Sequence, residues 1–292
     1  MKTIVAATDF SASAHDALER AAQLARAHGA QLHLLHAPSH GTWSQGTGMF
    51  SHLFSDGNAP SVEHDRERLE KVGAGLRRRF RVKAQCHVLP GRAAVEIAAF
   101  AQSREADLVV LASRGEGGVK RLALGGTALK VTWSTLCPVL LVREPVGAGY
   151  ASMLVATDLS GRAAHVCTTA MALLPKASIT LVHAFRAEFE TALQLVGART
   201  ESLRRYRAEQ GVEAAARLEQ LWAEVRGRTR RQAERVISHG HPIPVVLKAV
   251  SEYGPELVVL GKHAGPRWEE QVLGSVVQNL LQQLKTDVLV VP

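Results

Sequence analysis

Two glycine-bearing segments hold the residue types and spacings best suited to chemistry. In the first, Ala112-Ser113-Arg114-Gly115 is followed by nine residues and then by Gly125-Gly126-Thr127. In the second, Gly261-Lys262-His263-Ala264 is followed by nine residues and then by Gly274-Ser275. Each segment leaves a continuous apolar run, Leu108-Val109-Val110-Leu111 or Leu257-Val258-Val259-Leu260, and ends where a helical pattern begins. Glycine lets backbone amides approach an anion, and a helix start offers unpaired N–H groups at the positive end of its dipole. Such a pair of segments is a phosphate cradle. An acidic residue accompanies each one: Asp9 follows Thr8 at the end of the first apolar run, and Asp158 follows Thr157 at the end of its counterpart.

These correspondences are one case of a general repeat. Ile4-Val5-Ala6-Ala7-Thr8-Asp9 returns as Met153-Leu154-Val155-Ala156-Thr157-Asp158, and 158 − 9 and 274 − 125 both give an offset of 149 residues. A period that long means a duplicated domain, because stacking repeats run about 20 to 50 residues. A chain of 292 residues accommodates two units of ordinary size, each able to bury a core. The breaker-rich stretch Glu144-Pro145-Val146-Gly147-Ala148-Gly149 reads as the linker, giving domains 1–144 and 150–292.

Within each unit short apolar strands alternate with amphipathic helices. The pattern predicts strands over Thr3–Thr8, Gln31–His36, Arg81–Val88, Leu108–Ala112 and Val139–Val142. Helices are predicted over Ser13–His28, Val62–Arg79, Ala93–Ser103 and Thr127–Ser134, and the second half repeats the scheme with a longer, more charged second helix. Continuous apolar strands belong to a parallel sheet covered on both faces, and the alternation requires crossovers, so each half is a doubly wound α/β domain. In such a sheet the ligand cleft lies beyond the carboxyl ends of the strands. The segments that meet there are Thr8-Asp9, His36-Ala37 and Ala112-Ser113-Arg114-Gly115, with Thr157-Asp158, His183-Ala184 and Gly261-Lys262 in the second half.

On these residues the chain resembles the universal stress protein family in its tandem form. The likeness rests on the opening strand with its Asp, the His closing strand two, the glycine loop ahead of a helix, and the terminal Pro138-Val139-Leu140-Leu141-Val142. The resemblance implies a five-stranded parallel sheet of order 3-2-1-4-5 in each half, with ATP or AMP, with or without Mg²⁺, at the loop. It also implies roles: Asp9 and the backbone at Ala37 for the adenine end, and Ala112, Gly115, Gly125, Gly126 and Thr127 for ribose and phosphates. In the second half the corresponding residues are Asp158, Ala184, Gly261, Gly274 and Ser275. The first loop departs from the family pattern with Ala112 in place of a Gly and Gly126 in place of Ser or Thr, and the second departs with Ala264 in place of the middle Gly. Arg114, Lys120 and Arg121 face only Glu116 in the first loop, whereas Glu269 and Glu270 sit beside Lys262 and Arg267 in the second. Carboxylates repel a polyphosphate, so the first half is expected to be the better site.

Other features have plainer readings. Asp9 and Asp158 are placed to cap the helices that follow them. His36 and His183 close apolar strands as hydrogen-bonded core residues, and the spacings of His40, His52 and His64 match no metal motif. The odd cysteine count, Cys86, Cys137 and Cys167, without CxxC spacing, indicates a reducing compartment, no disulfides and no zinc. With no signal peptide and no apolar run of about 20 residues, the expected location is the cytoplasm. The net charge of +8 is concentrated between Arg199 and Arg235, where glutamates interleave, which describes a solvated helix face and no specific nucleic-acid partner. GxxxxGK[ST] is absent and no acid–base constellation appears, so the chain reads as a nucleotide-binding stress regulator and not a dedicated enzyme, slow ATP hydrolysis being compatible with it. The alternative is a nucleotide-free dimerising scaffold with degenerate loops. The apolar final strands Val139–Val142 and Val288–Val291 need cover, and the resemblance implies that they pair with each other within the chain, leaving a homodimer of two chains open.

Overall fold

The computed structural model describes residues 1–38, 62–115, 124–187, 189–190, 195–196, 199–227, 231–262 and 274–292. They form two compact units, Met1–Gly149 and Tyr150–Pro292. Unit 1 runs β1 (Thr3–Thr8), α1 (Ala12–His28), β2 (Gln31–His36), α2 (Val62–Phe80), β3 (Ala84–Val88), α3 (Ala93–Ser103), β4 (Leu108–Ala112), α4 (Gly126–Ser134) and β5 (Val139–Val142). Unit 2 repeats it as β6 (Ser152–Thr157), α5 (Ala163–Leu173), β7 (Ser178–Phe185), α6 (Thr200–Arg226), β8 (Ala233–His239), α7 (Pro242–Tyr253), β9 (Leu257–Gly261), α8 (Ser275–Gln283) and β10 (Asp287–Val291).

All pairings within each unit are parallel. β1 lies between β2, with Thr3 opposite Gln31 through Thr8 opposite His36, and β4, with Ile4 opposite Leu108. β3 continues from β2 and β5 from β4, so the order is β3-β2-β1-β4-β5. Unit 2 gives β8-β7-β6-β9-β10 by the same rule. This is the expected doubly wound order in both halves. α1 packs on α2 and α3 on α4, as α5 does on α6 and α7 on α8, so each sheet is covered on two faces. The continuous apolar runs are therefore buried: Ile4, Val5, Ala6, Leu32, Leu34, Leu35, Val109 and Val110 expose nothing. Each large aliphatic side chain so buried contributes about 1.5–3 kcal/mol, which makes the sheet the main source of stability.

Local chemistry moves a few boundaries from where the pattern puts them. α1 begins at Ala12 because Ser11 is its N-cap, accepting the Ala14 N–H at 3.2 Å. β3 begins at Ala84 and not at Arg81. Arg81 takes a left-handed φ of 56° and donates its N–H to the Arg77 carbonyl at 2.9 Å, so residues 81–83 form the turn that ends α2. β7 continues one residue past Ala184, and β10 starts at Asp287. A carboxylate holds the start of the first strand in each unit. Asp107 accepts the Lys2 and Thr3 amides at 2.5 and 2.9 Å, and Glu256, 149 positions on, accepts those of Ala151 and Ser152.

The thiols are chemically quiet. All three cysteines are free, and burial pushes Cys86 up to about 11 and Cys167 up to about 12, far from a reactive thiolate at neutral pH. Among the described residues no helix is long and apolar enough to cross a membrane.

Under α3, His33 Nδ1 lies 3.1 Å from His87 Nε2, and both rings pack on Phe100. Burial foremost, then the His87 and Arg104 charges, lowers the His33 pKa to about 4, and burial lowers that of His87. A histidine depressed in the folded state takes up protons on unfolding, so its stabilisation is complete above about pH 6.5 and drains away towards pH 4. Urea midpoints should therefore fall as pH drops through that window, and His33→Gln should flatten the slope. An unchanged slope in the variant would exclude this pair as its source.

Candidate functional site

β1 is the strand at which the order reverses, so no helix can cover the carboxyl ends of β1 and β4 together, and a cleft opens there. In unit 1 that cleft is a cavity of about 650 Å³. Thr8, Asp9, Ala37, Ala112, Arg114, Gly115, Gly125, Gly126 and Thr127 all line it. Every first-half residue selected from the sequence is thus brought to one space, within the range of about 300–1,000 Å³ usual for small-molecule pockets.

The turn after β1 aims the carboxylate. Phe10 donates its N–H to Thr8 Oγ1 at 2.9 Å and Ser11 donates to Asp9 Oδ1 at 3.0 Å, which forces Phe10 into a left-handed φ of 63°. That conformation costs a bulky residue about 1–2 kcal/mol. Ring contacts offset it: Phe10 lies 4.4 Å from the His36 ring on one side and 4.3 Å from the Arg68 guanidinium on the other. Asp9 is consequently not the cap of α1, as its position suggested; Ser11 takes that role and leaves Asp9 facing the glycine loop. A Cβ on Gly115 would stand 2.6 Å from Asp9 Oδ2, so only glycine admits this approach without displacing the carboxylate.

The loop after β4 is tied down on both sides. Ser113 donates its N–H to the Val142 carbonyl at 2.9 Å, and Gly125 donates to the Ser113 carbonyl at 2.8 Å. Ser13 Oγ reaches the Arg114 carbonyl at 3.0 Å, joining the start of α1 to the same turn. Gly125 is the N-cap of α4 and offers no side chain, so the first-turn amides of Gly126, Thr127 and Ala128 have no capping oxygen. All three residues line the cavity. The space beside Gly126 is open, nothing lying within 4 Å of a Cβ built there. Geometrically this is an anion cradle: uncapped amides at the positive end of a helix dipole, with Arg114 alongside.

The sequence reading treated His36 as a core residue, and its bonding agrees. Its Nδ1 is 2.8 Å from the Thr8 carbonyl, which only accepts, so Nδ1 carries the proton, and Nε2 lies 3.7 Å from buried Asp65. Yet His36 also lines the cavity. The walls added by α3 and the end of β4, Ala93, Ile97 and Leu111, went unrecognised, because a small or aliphatic residue at helical spacing reads only as core.

Unit 2 repeats the frame. Leu159 donates to Thr157 Oγ1 at 3.1 Å, Ser160 donates to Asp158 Oδ1 at 2.9 Å, and Leu159 has φ 57°. Asp158 is likewise no helix cap, since α5 starts only at Ala163. His183 repeats the contact of His36, Nδ1 lying 2.9 Å from the Thr157 carbonyl, and burial lowers its pKa. Gly261 ends β9 opposite Val291, Gly274 is the uncapped N-cap of α8, Ser275 is its first residue, and Ala184 lies in β7 opposite Ser238. Beyond Ala184 the units differ. Phe185 stands where unit 1 has Pro38, its carbonyl accepting from Gly240 as that of Pro38 accepts from Gly91. The Phe185 ring lies 5.4 Å from His239, which contacts Glu190 at 2.8 Å, and Glu190 also pairs with Arg207. Ala264, Arg267, Trp268, Glu269 and Glu270 lie outside the described residues, as do Glu116, Lys120, Arg121 and the 39–61 stretch with His40 and His52.

Known proteins share this architecture. The family described as the universal stress protein family matches residues 1–143 and again residues 149–292. A universal stress protein of Methanocaldococcus jannaschii is 30% identical over 153 residues, 49% of this chain and 83% of that protein. One from Thermus aquaticus is 36% identical over 143 residues, 49% of this chain and 98% of that protein. Among solved structures, a universal stress protein from Archaeoglobus fulgidus superposes with TM-score 0.71 over 99% of this chain and 97% of that one, at 18% identity, which speaks for the fold alone.

The assignment of the cap is open to a direct check. Ser11→Ala should lower unfolding free energy by about 1 kcal/mol through loss of the α1 cap, and Asp9→Ala should cost clearly less. The reverse ranking in denaturant titrations would restore Asp9 as the cap.

Proposed function

We propose, for a chain that belongs to the universal stress protein family in both of its halves, that unit 1 binds an adenine nucleotide, ATP or AMP, as a regulatory ligand. The observation that carries this reading is the cavity in which Asp9, Gly115 and the uncapped start of α4 converge. Its two ends differ in character. The end by Ala37, Ile97 and Leu111 is apolar and suits a base; the end by Arg114, Gly125, Gly126 and Thr127 offers amides, a hydroxyl and a guanidinium to phosphates. Asp9, between them, accepts hydrogen bonds and suits ribose hydroxyls. Mg²⁺ would come with the phosphates: among the described residues no three His, Cys, Asp or Glu side chains converge into a metal site.

Unit 1 is favoured over unit 2 because in unit 2 the carboxyl ends of β7 and β8 carry the Phe185, His239, Glu190 and Arg207 cluster. A binding role, and not dedicated catalysis, accounts for the residues best. The cavity presents a cradle, with His36 held by a backbone carbonyl and no nucleophile–base pair among the described residues lining it. Slow hydrolysis of bound ATP is compatible with this arrangement.

Gly126→Leu tests the reading cleanly, since its side chain would enter open cavity and leave the core alone. Wild-type protein should be stabilised by millimolar ATP or AMP, by about 2.7 kcal/mol when ligand exceeds its dissociation constant a hundredfold. Gly126→Leu should melt within a degree or two of the apo wild type and lose the ligand-induced shift, as should Asp9→Ala to a lesser extent. Wild-type protein without any shift at millimolar nucleotide would favour the nucleotide-free scaffold instead.

A further inference from the structure

Parallel strands joined by crossover helices put every helix C-terminus and every strand start at one end of a unit, the end remote from the cavity. In unit 1 that end collects cations that are scattered in the sequence. Arg26 comes from the last turn of α1, Arg78 from that of α2, Arg81 and Lys83 from the turn before β3, and Arg104 from the C-cap of α3. All five are exposed. Their neighbours in the same run are engaged: Arg77 with Glu70 and Arg79 with Glu19. No described carboxylate pairs with the five themselves, and Arg104 lies 5.2 Å from the face of Phe100. Against them stand Glu105, exposed, and Asp107, whose Oδ2 takes the Lys2 and Thr3 amides.

Helix ends alone do not account for this. Each helix C-terminus carries about −0.5 charge, so the four in unit 1 call for about two cations. Unit 2 has the same topology without the same charge. Among its described residues Glu252, Glu256, Glu234 and Asp287 share the corresponding end with Lys176, Arg226 and Lys285. There Arg231 is spent on the carbonyls of Leu174 and Ala177, and Arg235 on Glu219. The fold therefore tolerates a mixed end, and the one-signed end is particular to unit 1.

We propose that this end of unit 1, formed by Arg26, Arg78, Arg81, Lys83 and Arg104, docks the sugar–phosphate backbone of a nucleic acid without regard to base sequence. Four of the five are arginines, whose planar fork matches phosphate oxygens two at a time. A membrane surface would ask for apolar anchors beside the cations, and a protein partner for an apolar centre; the exposed residues around Arg78 and Lys83 offer neither. The inference is independent of the nucleotide cavity, which lies at the opposite ends of the same strands.

Anisotropy of a labelled DNA duplex and of a labelled RNA, titrated with full-length protein at several salt concentrations, tests it. Binding should weaken with salt along a log–log slope of about −3 to −4, one phosphate contact giving about −0.9. Arg78→Glu/Arg81→Glu/Lys83→Glu should weaken binding at least about tenfold at low salt and flatten the slope by two to three. Arg204→Glu/Arg205→Glu, on exposed α6, should stay within about twofold of wild type. Should the triple glutamate variant melt early, the glutamine set at the same positions takes its place. Equal losses in both variants would mean net charge and not this surface, and binding to phosphatidylserine vesicles but to neither nucleic acid would mean a membrane; either result, or no binding at low salt, overturns the proposal.

Discussion

The position of β1 between two parallel neighbours is the constraint on which the rest depends. Because β2 leaves it on one side and β4 adjoins it on the other, the chain winds in opposite directions from this strand, and the carboxyl ends of β1 and β4 remain uncovered. The cleft is thus a by-product of satisfying backbone hydrogen bonds and burying apolar strands. What turns it into a site is the geometry at its rim. A left-handed Phe10 turns the chain after Thr8, the Asp9 carboxylate approaches Gly115 as only glycine allows, and α4 starts without a capping side chain. Each of these is a small local cost that the buried sheet outweighs.

Duplication separates what the frame requires from what a site adds. Features that recur at the 149-residue offset are structural. They include the carboxylate that holds the first strand, Asp107 or Glu256, the left-handed residue after the acid, Phe10 or Leu159, and the uncapped helix behind Gly125 or Gly274. The two strand-closing histidines recur as well, each bonded to the carbonyl of the threonine beside it. Features that differ do so where backbone packing is indifferent. Pro38 against Phe185 changes what stands at the base end of the cleft, and the strand starts bear unpaired cations in unit 1 but mixed charges in unit 2. The two copies therefore share a skeleton and diverge at its two ends.

Much of this was legible in the chain. Continuous apolar runs can only be strands buried on both faces, so β1, β2, β4 and β5 lie where the pattern places them, and the glycine loops stand out because few other residues tolerate such approaches. Boundaries set by single hydrogen bonds were not. The Ser11 cap moved the start of α1, and the left-handed Arg81 removed three residues from β3, since neither a cap choice nor a positive φ on arginine is written in periodicity. His36 as a wall of the cavity was hidden by its own good bonding, and Ile97 by looking like any core residue.

By itself the sequence determined the duplication, the α/β class and the glycine–acid pairing, because these follow from local patterning: period, apolar continuity and residue type. Only tertiary structure decided which residues share a space. It set Asp9 against Gly115, residues 106 positions apart, and gathered Arg26, Arg78, Lys83 and Arg104 at one end, while the more conspicuous arginines Arg207 and Arg235 are bound to their own glutamates. The reason is physical: charge and hydrogen-bonding partners are fixed by distance through space, and the winding of the sheet, not the order of the chain, sets those distances.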